Sequence, residues 1–496
     1  MIDTSSNDRT WNTAGLIGLT ALILIAGVAS ASMLPLAMLL IGVTLVVFAT
    51  RYVDRLVVAM FWTLPYMIAS IPTGSFTLKL PEFTAYVFGL AAVLRAVIRR
   101  ERWSAPPATA TAIILLAVML ISTAWEPAAP IPFLGAIKPT DRNSPALRSM
   151  SDVIWMTLSW IVVVATYNVI GRRRELFRKC VVAHCLSGGL ASIISLCLFI
   201  PSFFGFHLRT IAGAGRMKDA ATAAGDFFRL AGVAYEPLVM AFFLLSVIPV
   251  TAVVYLLRPN WLPRKIAGIC LTFQAIALVL TFSAGGLCGM VVILVVLWKQ
   301  LRHAPIPRYI TRRLAMTGAA FAAVCVIGSV AVASVTPVVG KMLTKITNAT
   351  SSSRRTEWIA GFSEFEDYPL LGVGPGMSNY HFPQYNPELQ SQSLSGGLYE
   401  VNNIILGTLG ETGILGLIAL LACTASGLRA LVQRITRFGS NRVPVLTALT
   451  ASLIGCGIQA QSIGLNILTL IYFTGLLALA VSAVRVEHLL PEEAAE

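Results

Sequence analysis

Charge is scarce in this chain: Asp, Glu, Lys and Arg together make up 12% of its 496 residues, where a soluble domain carries roughly a quarter. That shortage excludes a water-soluble globular protein. Acidic residues are the scarcer sign, 23 against 37 basic, and there are only five histidines. No H-E-x-x-H or D-x-D pattern occurs, so a metal site has no sequence support, and neither metal nor cofactor is expected. The eight cysteines, Cys180, Cys185, Cys197, Cys270, Cys288, Cys325, Cys423 and Cys456, all fall in or beside apolar runs. A disulfide framework and a cysteine zinc site are therefore not implied. The basic residues are scattered over short segments without interleaved aromatics, which argues against a nucleic-acid partner.

What fills the chain instead is apolar sequence, 56% of all residues, with a mean hydropathy of +0.77. The apolar runs are each about 17 to 25 residues long, enough to cross roughly 30 Å of hydrocarbon as a helix. Short alternating strands of a barrel are not the pattern. The expected fold is an all-α polytopic membrane protein of about 14 spans. They are placed near 14–30, 33–49, 56–71, 81–97, 108–125, 152–170, 181–204, 231–257, 266–282, 284–298, 314–335, 413–432, 443–463 and 465–484. A signal-like Ala29-Ser30-Ala31 follows the first run, but a second run comes at once, so the first is read as an uncleaved helix.

Basic residues orient such a bundle. With both termini on the cytoplasmic side, 25 of the 37 Lys and Arg fall in inner loops and tails. The net charge of +14 then reflects topology. In domain terms, residues 1–334 hold eleven spans with a basic outer loop near 207–229, residues 335–412 form a large outer loop with short helices, and 413–496 hold three spans and a tail.

The large polar loop concentrates the chemistry. Between Arg354 and Phe365 the apolar residues Trp358, Phe362 and Phe365 recur at helical spacing, which predicts a helix with that apolar stripe on its packed face, Ser353 as a candidate N-cap and Pro369 ending it. Arg354 and Arg355 then stand in the first turn, where free N–H groups and two guanidinium groups suit a phosphate; contact with lipid headgroups is the competing reading. The run Gly372-Val373-Gly374-Pro375-Gly376 lacks the preceding strand and the lysine of a nucleotide loop and reads as a tight turn redirecting the chain. Asn402, Asn403 and Glu411 lie where the chain returns to apolar sequence. The basic loop before it carries Arg209, Arg216, Lys218 and Arg229 against Asp219 and Asp226, a combination that attracts anions.

The order Arg354-x-x-x-Trp358, Pro369 to Gly376, Asn403, then Glu411-Thr412-Gly413-Ile414-Leu415-Gly416 resembles the O-antigen ligase and Wzy-type polysaccharide polymerase superfamily of bacterial inner-membrane enzymes. Two upstream elements share the resemblance: Arg229-Leu-Ala-Gly-Val-Ala-Tyr235-Glu236-Pro237 matches its R-x-x-G-x-x-x-E-P element, and Leu280-Thr281-Phe282-Ser283 the start of its T-x-S-R-G segment. The chain departs from the pattern twice. Ala284 stands where the arginine is expected, and Asn402 where ligases place a histidine thought to activate the acceptor.

The resemblance implies a GT-C-like glycosyltransferase at the periplasmic face of the inner membrane. It would join oligosaccharide repeat units carried on undecaprenyl diphosphate into O-antigen, capsular or exopolysaccharide, without a metal. Implied partners are the lipid-linked oligosaccharide, the growing glycan chain, membrane lipids and a chain-length regulator protein. Such chemistry needs cations at the leaving diphosphate and a base at the acceptor hydroxyl. The candidates are Arg229 and Arg354 for the diphosphate, assisted by Arg216 and Arg355, and Glu236 as base, with orientation of Arg229 as its competing role. Trp358, Asn402, Asn403, Tyr235, Tyr380 and His381 are candidates for sugar contacts. The absent histidine favours a polymerase over a ligase. A flippase is the alternative of another class, opposed by the lack of internal repeats and of midmembrane charge.

Overall fold

A computed structural model describes residues 49–72, 77–125, 145–201, 209–211, 217–219, 221–223, 228–234, 236–258, 260–301, 353–385, 401–439, 443–463 and 467–486. In chain order the helices are α1 (Val53–Thr63), α2 (Leu80–Arg99), α3 (Thr109–Trp125), α4 (Pro145–Ile170), α5 (Arg174–Phe199), α6 (Pro237–Leu257) and α7 (Arg264–Leu280). They continue with α8 (Ala284–Leu301), α9 (Ser353–Asp367), α10 (Ser378–Tyr385), α11 (Ile404–Phe438), α12 (Pro444–Gln459) and α13 (Ile467–Val486). Six of the described helices are long and apolar enough to cross a membrane, and α3, α8 and α12 are shorter apolar ones. The expected spans at 14–30, 33–49 and 314–335 lie wholly or almost wholly outside the described residues, so the structure does not establish a count of 14.

The core is built around α6. Its sequence is apolar on every side, which requires neighbours all round, and from Val239 to Val247 no residue is exposed. Helices α5, α7, α8, α12 and α13 surround it. The outer helices turn apolar residues away from the bundle, among them Ile114 on α3, Ile269 on α7, Val291 on α8 and Ile418 on α11, as a surface meeting lipid must.

Two expectations shift. The span expected at 56–71 stops at Thr63, and the chain turns into strand β1 (Ser70–Pro72), paired antiparallel with β2 (Thr77–Lys79). The span expected from 231 begins only at Pro237, after a 3-10 turn at Gly232–Ala234. Proline at the first helical position costs no hydrogen bond, because that N–H has no intrahelical partner. The basic outer loop also holds short strands rather than coil: β3 (Arg209–Ile211) with β4 (Met217–Asp219), and β5 (Ala221–Ala223) with β6 (Phe228–Leu230).

The bundle has two unlike ends. At one, Arg95 bridges to Asp54 at 3.3 Å and to Glu101 at 3.5 Å, Arg173 also pairs with Asp54, and Arg485 donates to Asn168 Oδ1 at 3.0 Å. The basic clusters at 95–102, 172–179, 258–265 and 429–437 fall at this end. The hairpins, α9 and α10 lie at the other.

Candidate functional site

At the hairpin end, the backbone before α6 is set by a close approach. Gly232 has φ +54, and a Cβ there would fall on the Ser195 side chain, while Ser195 Oγ accepts the Val233 N–H at 3.1 Å. This pins the short link between β6 and α6. Arg229 therefore leaves β6 next to the α7–α8 turn, where its Nε donates to the Thr281 carbonyl at 3.0 Å. Seven residues on, Glu236 is the extended N-cap of α6, its carbonyl accepting from Met240 at 2.9 Å and its side chain half-buried. Its carboxylate does not cap the helix.

The α7–α8 turn is Thr281-Phe282-Ser283, with Phe282 left-handed at φ 46. Ser283 begins α8 by accepting the Gly286 N–H at 3.1 Å. The Ser283 hydroxyl also faces the buried Gln459 side chain, 3.2 Å from Nε2 and 3.3 Å from Oε1, and Gln459 Nε2 lies 3.3 Å from the Leu238 carbonyl in the first turn of α6. The two residues after Gln459 hold the start of α11: Ile404 N–H donates to Ala460 O at 3.1 Å, and Asn403 Nδ2 reaches Gln461 O at 3.5 Å.

Asn403 is the N-cap of α11, its Oδ1 accepting from Ile405 N at 2.9 Å and Leu406 N at 3.1 Å. That satisfies two of the free donors at the helix start. Asn402 points to α9 and donates to Glu357 Oε2 at 3.1 Å. Glu357 is buried, while Arg355, two residues earlier, is exposed. Arg354 shares that first turn. Hydrogen bonds thus link, along one rim, the stretches that carry Arg229, Glu236, Asn402, Asn403 and the Arg354–Arg355 turn. Arg216 and Tyr235 lie outside the described residues.

Helix α9 corrects a prediction. Its packed face is Glu357, Ala360, Gly361 and Glu364, whereas Phe362 is 47% exposed and Trp358 and Phe365 are only partly covered. Small residues win because the chain entering α11 passes close: a Cβ on Gly361 would stand 3.1 Å from Val401, just before the helix, and 3.6 Å from Leu406 O in its first turn. The acids are admitted because each has a donor. Ser378 Oγ donates to Glu364 Oε2 at 2.7 Å, as Asn402 does to Glu357. Burial holds Glu364 well above the usual carboxylate range, with the charge of Glu411 adding and the Ser378 hydrogen bond opposing.

The glycine run is a clasp. The N–H groups of Val373 and Gly374 donate to the carbonyls of Gly410 and Glu411, both at 2.9 Å, and Ile414 N–H donates back to Pro369 O at 2.9 Å. Ser122 on α3 ties both sides of the clasp, donating to Leu371 O at 2.6 Å and Glu411 O at 3.1 Å. Helix α11 kinks where the clasp meets it, at Gly413 with φ 64 and ψ −165. A Cβ on Gly372 would stand 2.5 Å from Glu411 O, so glycine is required on both sides. The run redirects the chain after α9, as its spacing predicts.

Tyr380 and His381 do not reach an open surface. Tyr380 packs with Val373 and Met377 beneath the clasp, and His381 is fully buried against Tyr368, ring centroids 6.1 Å apart. Burial lowers the His381 pKa to about 4, and neither ring nitrogen has a hydrogen-bond partner among the described residues. A sugar contact from either residue is therefore not supported by this arrangement. The residues that sequence reading passed over are Glu357, Glu364, Ser122 and Gln459; the last carried one signal, an amide, with Gln461, near the end of an apolar run.

Comparison with known families bears on this geometry. Residues 269–421 match the family model of the O-antigen ligase family, a stretch running from α7 through the T-x-S turn, α9 and the clasp into α11. That segment is thus similar to the family that the motif order resembles. No curated protein matches the chain.

Proposed function

We propose that this protein, whose segment 269–421 is of the O-antigen ligase family, polymerises undecaprenyl-diphosphate-linked oligosaccharide repeat units at the periplasmic face of the bacterial inner membrane. The observation that carries the reading is the shared rim: Arg229 fixed against Thr281, Glu236 at the start of α6, and the Arg354–Arg355 turn joined to Asn402 through Glu357. The basic clusters at the opposite end favour the cytoplasm on that side, which turns the rim outward.

In the proposed reaction Glu236 takes the proton of the acceptor hydroxyl, the hydroxyl oxygen bonds to the anomeric carbon, and the bond from that carbon to the diphosphate oxygen breaks. The bonding pair leaves with the diphosphate, whose charge Arg229 and Arg354 stabilise with Arg216 and Arg355 assisting. Fixed guanidinium groups are effective here because they need no reorganisation as charge develops. Asn402 supports polymerase over ligase: its amide is engaged by Glu357 and has no basic nitrogen to serve as the ligase histidine does. Transfer of finished glycan to a different acceptor is the second reading, favoured by the description of the matching family.

The test uses purified protein given the lipid-linked oligosaccharide that accumulates in a deletion strain. Longer lipid-linked chains support polymerisation, and a capped acceptor without lengthening supports ligation. In the complemented strain, Arg229→Ala, Arg354→Ala and Glu236→Ala should each abolish long glycan, the base variant by about 10²–10⁴-fold in rate. Normal long glycan from all three would remove the assignment.

A further inference from the structure

The rim is assembled by a segment that lies beyond the matched family region. Gln459, the last residue of α12, is fully buried. Its one amide meets two elements, the Leu238 carbonyl of α6 and the Ser283 hydroxyl that caps α8. Gly285 makes this possible, since a Cβ there would collide with Gln459 Oε1 and stand 2.6 Å from Ser462 Oγ. The following Ala460 and Gln461 carbonyls hold the third element, the Asn403–Ile404 start of α11.

Resting on the function proposed above, we infer that Gln459 is a positioning residue that sets Glu236 against Arg229 and the Asn402–Asn403 turn. Leu238 is two residues from Glu236, and Ser283 two residues from the carbonyl that holds Arg229. One side chain therefore fixes the separation between the group that accepts the proton and the group that meets the leaving charge. A primary amide suits the place because it offers donor and acceptor together without charge. A carboxylate of the same shape would lose the donor to Leu238 O and confront a buried carbonyl. Gln459 touches neither substrate in this scheme, so its loss should slow turnover without weakening the grip on the diphosphate.

The experiment uses the full chain in lipid nanodiscs as wild type, Gln459→Glu and Gln459→Asn, with three readouts. Amide hydrogen exchange should accelerate in Gln459→Glu at both 238–241 and 402–406, segments more than 160 positions apart, and not in α2. Binding of undecaprenyl diphosphate by native mass spectrometry should stay within about twofold of wild type. Initial rates with the accumulated lipid-linked oligosaccharide should show kcat falling at least tenfold with KM little changed, and Gln459→Asn, which keeps the amide, should recover part of that loss. Unchanged exchange at either segment overturns the proposal, as does equal loss of diphosphate binding and turnover, or coupled exchange with wild-type kcat. A Gln459→Glu protein that does not fold leaves Gln459→Asn to decide by the same three readouts. Absence of chain extension by the wild type would instead sink the polymerase reading.

Discussion

Replacing Gly413 by alanine tests the clasp. The residue sits at φ 64, ψ −165, a region that is essentially glycine's own, and holding alanine there costs about 1–3 kcal/mol. The new Cβ would also meet the Leu370 carbonyl and stand 2.6 Å from Leu371 N. Relief requires the Pro369–Leu371 turn to move away, losing the bonds from Ile414 N to Pro369 O at 2.9 Å and from Leu415 N to Leu370 O at 3.4 Å. At about 1 kcal/mol each, these bring the expected loss to about 3–5 kcal/mol. Two controls separate the terms. Gly439 has φ 78 with no described residue within 4 Å of a Cβ, so Gly439→Ala tests the strain. Gly407 is helical, with its nearest neighbour at 3.6 Å, so Gly407→Ala should be neutral or stabilise by up to about 1 kcal/mol. Thermal unfolding in nanodiscs gives the order, and hydrogen exchange at Val373 and Gly374 reports the clasp directly. A Gly413→Ala protein that melts with Gly439→Ala and keeps both amides protected would refute the interlock.

Glu364→Gln should show a pH-dependent gain. Because burial raises the native pKa of Glu364 above 4.5, its contribution to stability is complete below that pH and is lost as pH rises through the native value. The variant's advantage in melting temperature should therefore grow on the alkaline side and vanish near pH 4.5; a constant offset would contradict the assignment. His381 has the opposite sign, its pKa lowered from 6.5 to about 4. Its contribution is complete above pH 6.5 and lost as pH falls through about 4, so His381→Phe should flatten the acid side of the same profile. Asn403→Ala should cost about 1 kcal/mol as a lost cap, with Asn403→Asp close to wild type in a melting assay. Arg229→Lys keeps the charge but not the fixed fork held by Thr281, and should lose at least about tenfold in chain extension; full activity would show that charge alone suffices.

The apolar runs and sparse charge were enough to read a helical membrane protein, and α2, α3, α7, α8 and α13 begin and end close to where hydropathy puts them, while α4 ends where expected but begins seven residues earlier. Which stretches of the ordered motifs meet is seen only in the fold. Arg229 and Thr281 touch, and Asn402 faces the helix that begins with Arg354 and Arg355. Helix boundaries failed where a local close approach overrode hydropathy: Ala231 and Val233 are apolar enough to extend α6, but Ser195 bends the chain at Gly232.

By itself the sequence determined the class of protein, the spacing of most described helices and the superfamily order of the polar segment, because these depend on composition and on residues close in the chain. Only the tertiary structure decided which face of α9 is packed, that the glycine run clasps a kinked α11, that Tyr380 and His381 are buried, and that Gln459 joins the rim. The α9 face, the clasp and the Gln459 contacts rest on partners tens to hundreds of positions away, and the burial of Tyr380 and His381 follows from the turn that folds them onto Tyr368, Val373 and Met377. A helix with a large aromatic stripe and a small acidic stripe can bury either, and the choice falls to how closely its neighbour passes and whether donors such as Asn402 and Ser378 stand ready for the acids.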